Sequence, residues 1–107
     1  MDLKESLHTH LTQIVRARDP YLAKAGHFYV QQYIRQELEQ WGRIQTHEFT
    51  IRGQTHHNFI LNLPANATSS RKQKPPILIG AHYDAVPGTP GADDNATGVA
   101  ALLELAK

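Results

Sequence analysis

The stretch ILIGAHYDAVPGTPGADDNATG, residues 77–98, decides how the rest of this chain is interpreted. It opens with the apolar run 77–80, which is typical of a short strand buried on both faces. A loop rich in glycine and proline follows, and it lets the chain fold back on itself. Four imidazole or carboxylate side chains lie within thirteen residues of this stretch: His82, Asp84, Asp93 and Asp94. The stretch therefore predicts a strand that delivers a histidine to a metal-binding loop.

The donor set of such a site is restricted, because the chain has no cysteine. Zinc and similar cations then bind neutral imidazole and ionised carboxylate. His82, at the end of the strand, and Asp94, just before the next helix, are the candidate metal ligands. Asp84 lies two residues after His82 on the same side of an extended chain, so it can accept a hydrogen bond from the second ring nitrogen and orient the ring. The alternative is that these side chains only cap turns and the last helix.

The other histidines show no ligand spacing. We expect them to be surface or core side chains. They are His8, His10, His27, His47, His56 and His57.

Hydrophobic periodicity predicts two helices before this stretch. Apolar residues recur at three- and four-residue intervals over residues 2–18, and the Asp-Pro pair 19–20 breaks that helix. A second helix is predicted over residues 21–41, with Gly42 as its C-terminal stop. The side chains expected to face inward from the second helix are Leu22, Ala25, Tyr29, Val30, Tyr33, Ile34, Leu38 and Trp41.

After the second helix the hydrophobic period shortens. Residues 44–51 and 58–63 predict two strands of a hairpin with a turn at 52–54. Residues 64–76 are rich in Pro, Ser, Asn and Lys and predict an exposed loop. A helix is predicted from Asn95 onward, and it is apolar nearly all round, which is typical of a buried helix. The expected fold is α/β: two N-terminal helices, a β-hairpin, a central metal-bearing strand and a following buried helix.

Composition limits the class of partner. The 107 residues carry a net charge of +1, which does not favour nucleic acid as a partner. Residues 76–107 nevertheless carry a net charge of −3, so acidic groups concentrate around the quoted stretch. No apolar run is long enough to span a bilayer, and the N-terminus does not resemble a signal peptide. We expect a cytoplasmic protein that binds neither nucleic acid nor membrane.

The segments AHYDAVP, residues 81–87, and GADDNATG, residues 91–98, closely resemble the signature of the di-zinc aminopeptidases, family twenty-eight of the metallopeptidases. This resemblance implies that His82 is a terminal ligand of one zinc, that Asp94 bridges two zinc ions and that Asp84 orients His82. It places Asp93 outside the ligand set. It also implies a cis peptide bond after Asp94 and part of a phosphorylase/hydrolase-like zinc-peptidase fold.

A second family offers an alternative. The segment HYDAVP, residues 82–87, also resembles the HxDxVP motif of the family-twenty metallopeptidases, which include carboxypeptidases and deacylases. In that family the bridging aspartate lies much further along the chain. The twelve-residue gap between His82 and Asp94 and the GADDNATG that follows the loop favour the aminopeptidase family.

The resemblance implies hydrolysis of N-terminal residues from peptides, with a glutamate as general base. The family's Glu-Glu pair and its later Asp and His do not follow Asp94 in this sequence, and Glu104 has no expected role in the site. We therefore expect residues 1–107 to be the N-terminal part of a single zinc aminopeptidase-like catalytic domain, inactive alone and prone to self-association. The alternative is a non-catalytic peptidase-like interaction module.

Overall fold

The computed structural model describes residues 1–64 and 75–107, and in these ranges the chain forms three helices and one hairpin. Most of the loop predicted at 64–76 lies outside the described residues. In chain order the elements are α1 (Leu3–Ile14), α2 (Lys24–Glu39), β1 (Ile44–Ile51), β2 (Gln54–Leu61) and α3 (Thr97–Leu105). A short distorted helical turn, Ala92–Ala96, leads directly into α3.

Helix α1 begins where the sequence predicts and ends earlier. The Asp2 side chain caps its start by accepting a hydrogen bond from the backbone N–H of Glu5 at 2.8 Å. The predicted end near Arg18 is wrong, because the helix stops at Ile14 and Val15 is already extended. The Arg18 guanidinium donates to the carbonyl of Ile14 at 3.0 Å, and so satisfies one of the orphan acceptors at the helix end.

Helix α2 is shorter than predicted at both ends. It starts at Lys24, because the Asp19 carboxylate accepts hydrogen bonds from the N–H groups of Tyr21 and Leu22 and holds them in a turn. It ends at Glu39, three residues before Gly42. The inward placement of four predicted core residues is wrong, since these side chains are exposed: Leu22, Ala25, Tyr29 and Trp41.

The core lies between the three helices. Its buried members are Ile14 from α1, Val30, Ile34 and Leu38 from α2, Ala96, and Val99 and Leu103 from α3. Burial of each large aliphatic side chain contributes about 1.5–3 kcal/mol. The inward prediction is therefore confirmed for Val30, Ile34 and Leu38. At Gly26 a Cβ atom would lie 1.9 Å from the carbonyl oxygen of Ala17, so a glycine is needed where α2 approaches the chain after α1.

The hairpin is confirmed, with a second strand that starts four residues earlier than predicted. Strands β1 and β2 pair antiparallel from Ile44 opposite Leu61 to Ile51 opposite Gln54. Arg52 and Gly53, which connect them, both have positive φ angles of 53° and 75°. This two-residue turn matches the right-handed twist of the strands. Three apolar side chains of the hairpin pack against the helical core: Ile44, Phe59 and Leu61.

The predicted central strand is not formed in the described residues. Ile77 and Leu78 are 88% and 93% exposed, and residues 75–86 have no regular secondary structure. A strand exists only when a neighbouring strand accepts and donates its hydrogen bonds, and the sheet of the described chain has two strands, β1 and β2. The expectation of a buried strand at this position is therefore wrong for this chain.

Helix α3 is buried on one face only. It starts at Thr97 instead of Asn95, and its buried side chains are Val99, Ala100 and Leu103. Leu105 remains 65% exposed although the helix is apolar nearly all round. The described residues form a small α/β unit of three helices and a two-stranded antiparallel sheet. None of the helices described here has the length and apolar character that a membrane crossing requires.

Candidate metal centre

The candidate site is centred on His82, whose two ring nitrogens face two different carboxylates. Nδ1 lies 3.0 Å from Oδ1 of Asp84, and Nε2 lies 3.1 Å from Oδ1 of Asp94. Asp94 reaches His82 from the far end of the loop, twelve residues later in the chain. Asp93, which the resemblance places outside the ligand set, is exposed. The structure thus brings together the three side chains that the sequence predicts to act together.

Tyr83 anchors the segment that carries two of these side chains. Its hydroxyl donates to a backbone carbonyl of β2 at 2.7 Å, and its ring stacks against His27 and Phe59 with centroids 5.3 and 6.0 Å away. Burial raises the pKa of Tyr83 to about 12. Side chains alternate along an extended chain, so the inward Tyr83 leaves its neighbours His82 and Asp84 on the opposite, solvent side.

The loop between the two halves of the site is folded by short-range hydrogen bonds. The N–H of Thr89 donates to the carbonyl of Val86 at 3.2 Å, and the N–H of Gly91 donates to Oγ1 of Thr89 at 2.9 Å. Gly91 has a φ angle of 58°, and a Cβ there would lie 2.7 Å from the carbonyl oxygen of Asp94, so this position requires glycine. The Asp94–Asn95 peptide bond is cis, as the family resemblance implies.

The contacts of His82 leave Nε2 facing an acceptor. A neutral imidazole that donates its proton from Nδ1 to Asp84 presents a lone pair at Nε2. An ionised Asp94 has no proton to offer, so two acceptors face each other across 3.1 Å. This arrangement is favourable when a positive group, either a second proton or a metal cation, lies between the two atoms.

The spacing of these two atoms suits a zinc ligand pair. Ligands that lie about 2.0–2.1 Å from zinc are about 3.3 Å apart at the corners of a tetrahedron. The separation between Nε2 of His82 and Oδ1 of Asp94 is 3.1 Å, and these side chains are 55% and 77% exposed. Within residues 1–64 and 75–107, however, no three His, Asp or Glu side chains form a group that could hold a metal ion. The pair fits one edge of a zinc site.

Arg18 is the residue of this region that the sequence analysis missed. Its side chain is fully buried, with Nε donating to the carbonyl of Tyr83 at 2.8 Å and Nη2 to that of Gly91 at 3.0 Å. Burial lowers the pKa of Arg18, and the negative charges of Asp84 and Asp94 oppose that effect. No motif marks this position, because an arginine after a helix resembles any surface cation until the fold is known.

A second histidine and carboxylate cluster is buried between the helices. His10 lies 2.6 Å from the hydroxyl of Tyr33 through Nδ1 and 3.0 Å from Oε1 of Glu104 through Nε2. The hydroxyl of Ser6 and the ammonium of Lys107 also donate to Glu104. The side chains of His10 and Glu104 are only 6% and 10% exposed. His10 is thus one of the expected core histidines, and Glu104 lies in this cluster.

Comparisons with known proteins find a peptidase family that the C-terminal part of the chain resembles. The sequence model of peptidase family M28 matches residues 58–107, and this confirms the family resemblance of the AHYDAVP and GADDNATG segments. The uncharacterized protein YfbL of Escherichia coli (strain K12) is 38% identical over 86 residues, 71% of this chain and 24% of that protein. Nicalin of Caenorhabditis elegans is 49% identical over 49 residues, 42% of this chain and 9% of nicalin.

The chain therefore spans about a quarter of YfbL and a tenth of nicalin. No solved structure matches it.

Proposed function

We propose, from the membership of residues 58–107 in peptidase family M28, that this chain is the N-terminal part of a zinc-dependent aminopeptidase domain with the phosphorylase/hydrolase-like fold. The observation that carries the proposal is the placement of His82 between Asp84 and Asp94 at hydrogen-bond distance. In this proposal His82 and Asp94 hold zinc, and the intact domain hydrolyses N-terminal residues from peptides.

Each of the three side chains has a separate task in this proposal. Asp84 keeps the proton of His82 on Nδ1, so that the lone pair of Nε2 is available as a ligand. Asp94 would supply the carboxylate that neutralises part of the charge of bound zinc. Bound zinc would supply an acidified water and a polarised scissile carbonyl.

We propose that the chain is inactive alone. Two protein donors are fewer than the three or more that hold zinc in catalytic sites. In the described part of the chain no glutamate contacts His82 or Asp94 to take the proton from an attacking water, and Glu104 is bound to Ser6, His10 and Lys107. The chain spans 24% of YfbL. We propose that the segments that complete the site belong to a longer protein of this kind.

A second candidate function is favoured by one observation. Ile77 and Leu78 are almost fully exposed and lie next to the site. Large exposed apolar side chains in sequence favour association with another polypeptide. A peptidase-like interaction module would use this segment and would need no metal.

Zinc calorimetry on the 107-residue chain separates the two functions. For the zinc peptidase, we expect one weak zinc site that disappears in His82→Ala and in Asp94→Asn, and no release of N-terminal residues from a test peptide. His8→Ala, a histidine on an exposed position of α1, is the matched control and should bind zinc as the native chain does. Zinc binding that is equal in the native chain and in His82→Ala would contradict the proposal.

Light scattering on the same samples addresses the interaction module. That module predicts self-association that weakens when Leu78 is replaced by Asp, with no dependence on zinc. Peptide hydrolysis by the 107-residue chain would instead contradict the claim that it is inactive alone.

A further inference from the structure

All three nitrogens of the Arg18 guanidinium donate hydrogen bonds to backbone carbonyls around the candidate site. Its side chain is 0% exposed, and its donors contact carbonyls from two separate parts of the chain. Nε donates to Tyr83 at 2.8 Å, Nη2 donates to Gly91 at 3.0 Å, and Nη1 donates to Pro90 and, at 3.0 Å, to Ile14. A planar fork of five donors is suited to this task, and a lysine ammonium is not.

The carbonyls that Arg18 contacts flank the site from both sides. Tyr83 lies between His82 and Asp84 in the chain. A hydrogen bond to the Tyr83 carbonyl therefore holds the segment that carries the imidazole. Gly91 precedes the distorted turn that contains Asp94, and its own carbonyl also accepts the N–H of Ala96 at 3.1 Å. One rigid cation therefore fixes the distance between the segment that carries the histidine and the turn that carries the carboxylate.

The packing around the guanidinium leaves little room for an alternative position. A Cβ atom at Gly91 would lie 2.9 Å from Nη2 of Arg18 and 3.0 Å from the Cβ of Ala85. The turn and the guanidinium thus meet at van der Waals distance. The guanidinium is therefore packed closely against the residue that precedes the turn carrying Asp94.

The charge of Arg18 acts in the same direction as its hydrogen bonds. Without a cation between His82 and Asp94, the carboxylates of Asp84 and Asp94 are two negative charges that meet across one imidazole. Both carboxylates interact electrostatically with the guanidinium, which lies behind the backbone that carries them. A fixed positive charge there offsets part of their mutual repulsion.

We propose that Arg18 is a positioning residue of the metal centre: its buried guanidinium ties the His82 segment to the Asp94 turn and sets the spacing of the two ligands. This inference rests on the proposed function of that site. It differs from a purely structural role, in which Arg18 only ties the end of α1 to the loop. A structural tie would change the stability of the fold, and a positioning residue would also change the metal affinity of the folded chain.

The test compares Arg18→Lys with Leu38→Ala. Arg18→Lys keeps the charge and loses the fork, whereas Leu38→Ala removes a buried side chain of α2 and leaves every carbonyl contact of Arg18 intact. Zinc affinity is measured by calorimetry at a temperature at which both variants are fully folded. The ring ¹⁵N resonances of His82 are measured by NMR in zinc-free buffer.

For Arg18→Lys we expect zinc affinity to fall by about tenfold, the lower end of the range for residues that support a metal ligand, and the His82 ring resonances to shift. Leu38→Ala should lower thermal stability and leave both readouts unchanged. The proposal is overturned if Arg18→Lys lowers stability while zinc affinity and the His82 resonances stay at native values.

The native chain provides a second measurement in case Arg18→Lys does not fold. If Arg18 holds the two ligands in place, zinc bound at His82 and Asp94 holds the segments that Arg18 contacts, and the Arg18 Nε–H should open to solvent less often. We expect that exchange to slow when zinc is added. An exchange rate that zinc saturation leaves unchanged would overturn the proposal.

Failure of the proposed function has a different signature. It appears as zinc binding that His82→Ala does not change. In that case the His82 ring resonances of zinc-free Arg18→Lys decide the positioning claim alone: a shift supports it, and native resonances overturn it.

Discussion

Two of the histidine–carboxylate contacts in the described residues, the His10 cluster and the His82 cluster, join similar groups and differ in almost every other respect. The His10 cluster is buried, and its side chains are 6% and 10% exposed at His10 and Glu104. The His82 cluster is open, with 55% exposure at His82 and 77% at Asp94. Similar chemical groups at similar distances are therefore placed in two environments.

The difference lies in how the hydrogen-bonding capacity is used. Around His10, donors and acceptors match: Tyr33 contacts one ring nitrogen, and Glu104 accepts from His10, Ser6 and Lys107. Around His82, two carboxylates face one ring, and a positive group between Nε2 and Asp94 is needed for balance. A balanced buried cluster is typical of a structural role, and the exposed His82 cluster is the one that we propose as a binding site.

The largest expected effect is on stability, from removal of the buried histidine. His10→Ala removes one buried hydrogen-bond partner each from Tyr33 and Glu104, so we expect the free energy of unfolding to fall by about 1–3 kcal/mol. His82→Ala, the matched variant of the exposed cluster, should change it by less than about 0.5 kcal/mol. Urea denaturation followed by circular dichroism measures both. Equal losses in the two variants would break the distinction between the clusters.

The second effect concerns the orientation of His82. Asp84→Asn removes the ionised acceptor at Nδ1 and lets the amide donate instead, so the ring loses its fixed tautomer. We expect zinc affinity to fall by about tenfold with little change in stability. Zinc calorimetry on Asp84→Asn and on Asp93→Asn, the neighbour of Asp94, gives the comparison. An equal loss in both variants would mean that only net negative charge matters.

The smallest effect is a pH dependence confined to the buried cluster. The hydrogen bond from Ser6, and those from Lys107 and His10, lower the pKa of Glu104 below its ordinary 4.5, and burial acts in the opposite direction. The unfolded chain therefore binds this proton more readily than the folded chain. The stabilisation by Glu104 is fully present above about pH 4.5 and is lost as the pH falls through the lower folded pKa.

Glu104→Gln tests this dependence. The native chain should lose stability below pH 4.5 more steeply than the variant does, as measured by thermal unfolding at several acid pH values. The partners His10, Tyr33, Ser6 and Lys107 are present in both proteins, so the difference between the two profiles reports the ionisation of Glu104 together with its coupling to these partners. Parallel pH profiles in the two proteins would contradict the claim that ionised Glu104 stabilises the fold.

The arrangement of the His82, Asp84 and Asp94 side chains could be predicted from the sequence because its geometry is local. His82 and Asp84 lie two residues apart, and a loop with Gly91 at positive φ returns Asp94 to them, so a short segment contains the whole arrangement. The core residues Val30, Ile34 and Leu38 followed from helical periodicity for the same reason.

The features that the sequence could not predict depend on distant parts of the chain. Ile77 and Leu78 have the pattern of a buried strand, but a strand needs a neighbour, and no neighbour lies beside them in the described residues. Arg18 becomes part of the site only because the fold brings Tyr83 and Gly91 to it, 65 and 73 residues later. Neither relation leaves a periodic or spaced pattern in the sequence.

The central claim is that Nε2 of His82 and the carboxylate of Asp94 share one cation. Zinc titration followed through the ring ¹⁵N resonances of the seven histidines tests it most directly, because each histidine reports separately. We predict that zinc moves the Nε2 resonance of His82, leaves that of His10 in place, and has no effect on His82 in Asp94→Asn. A zinc-induced shift at other histidines with His82 unmoved would contradict the account.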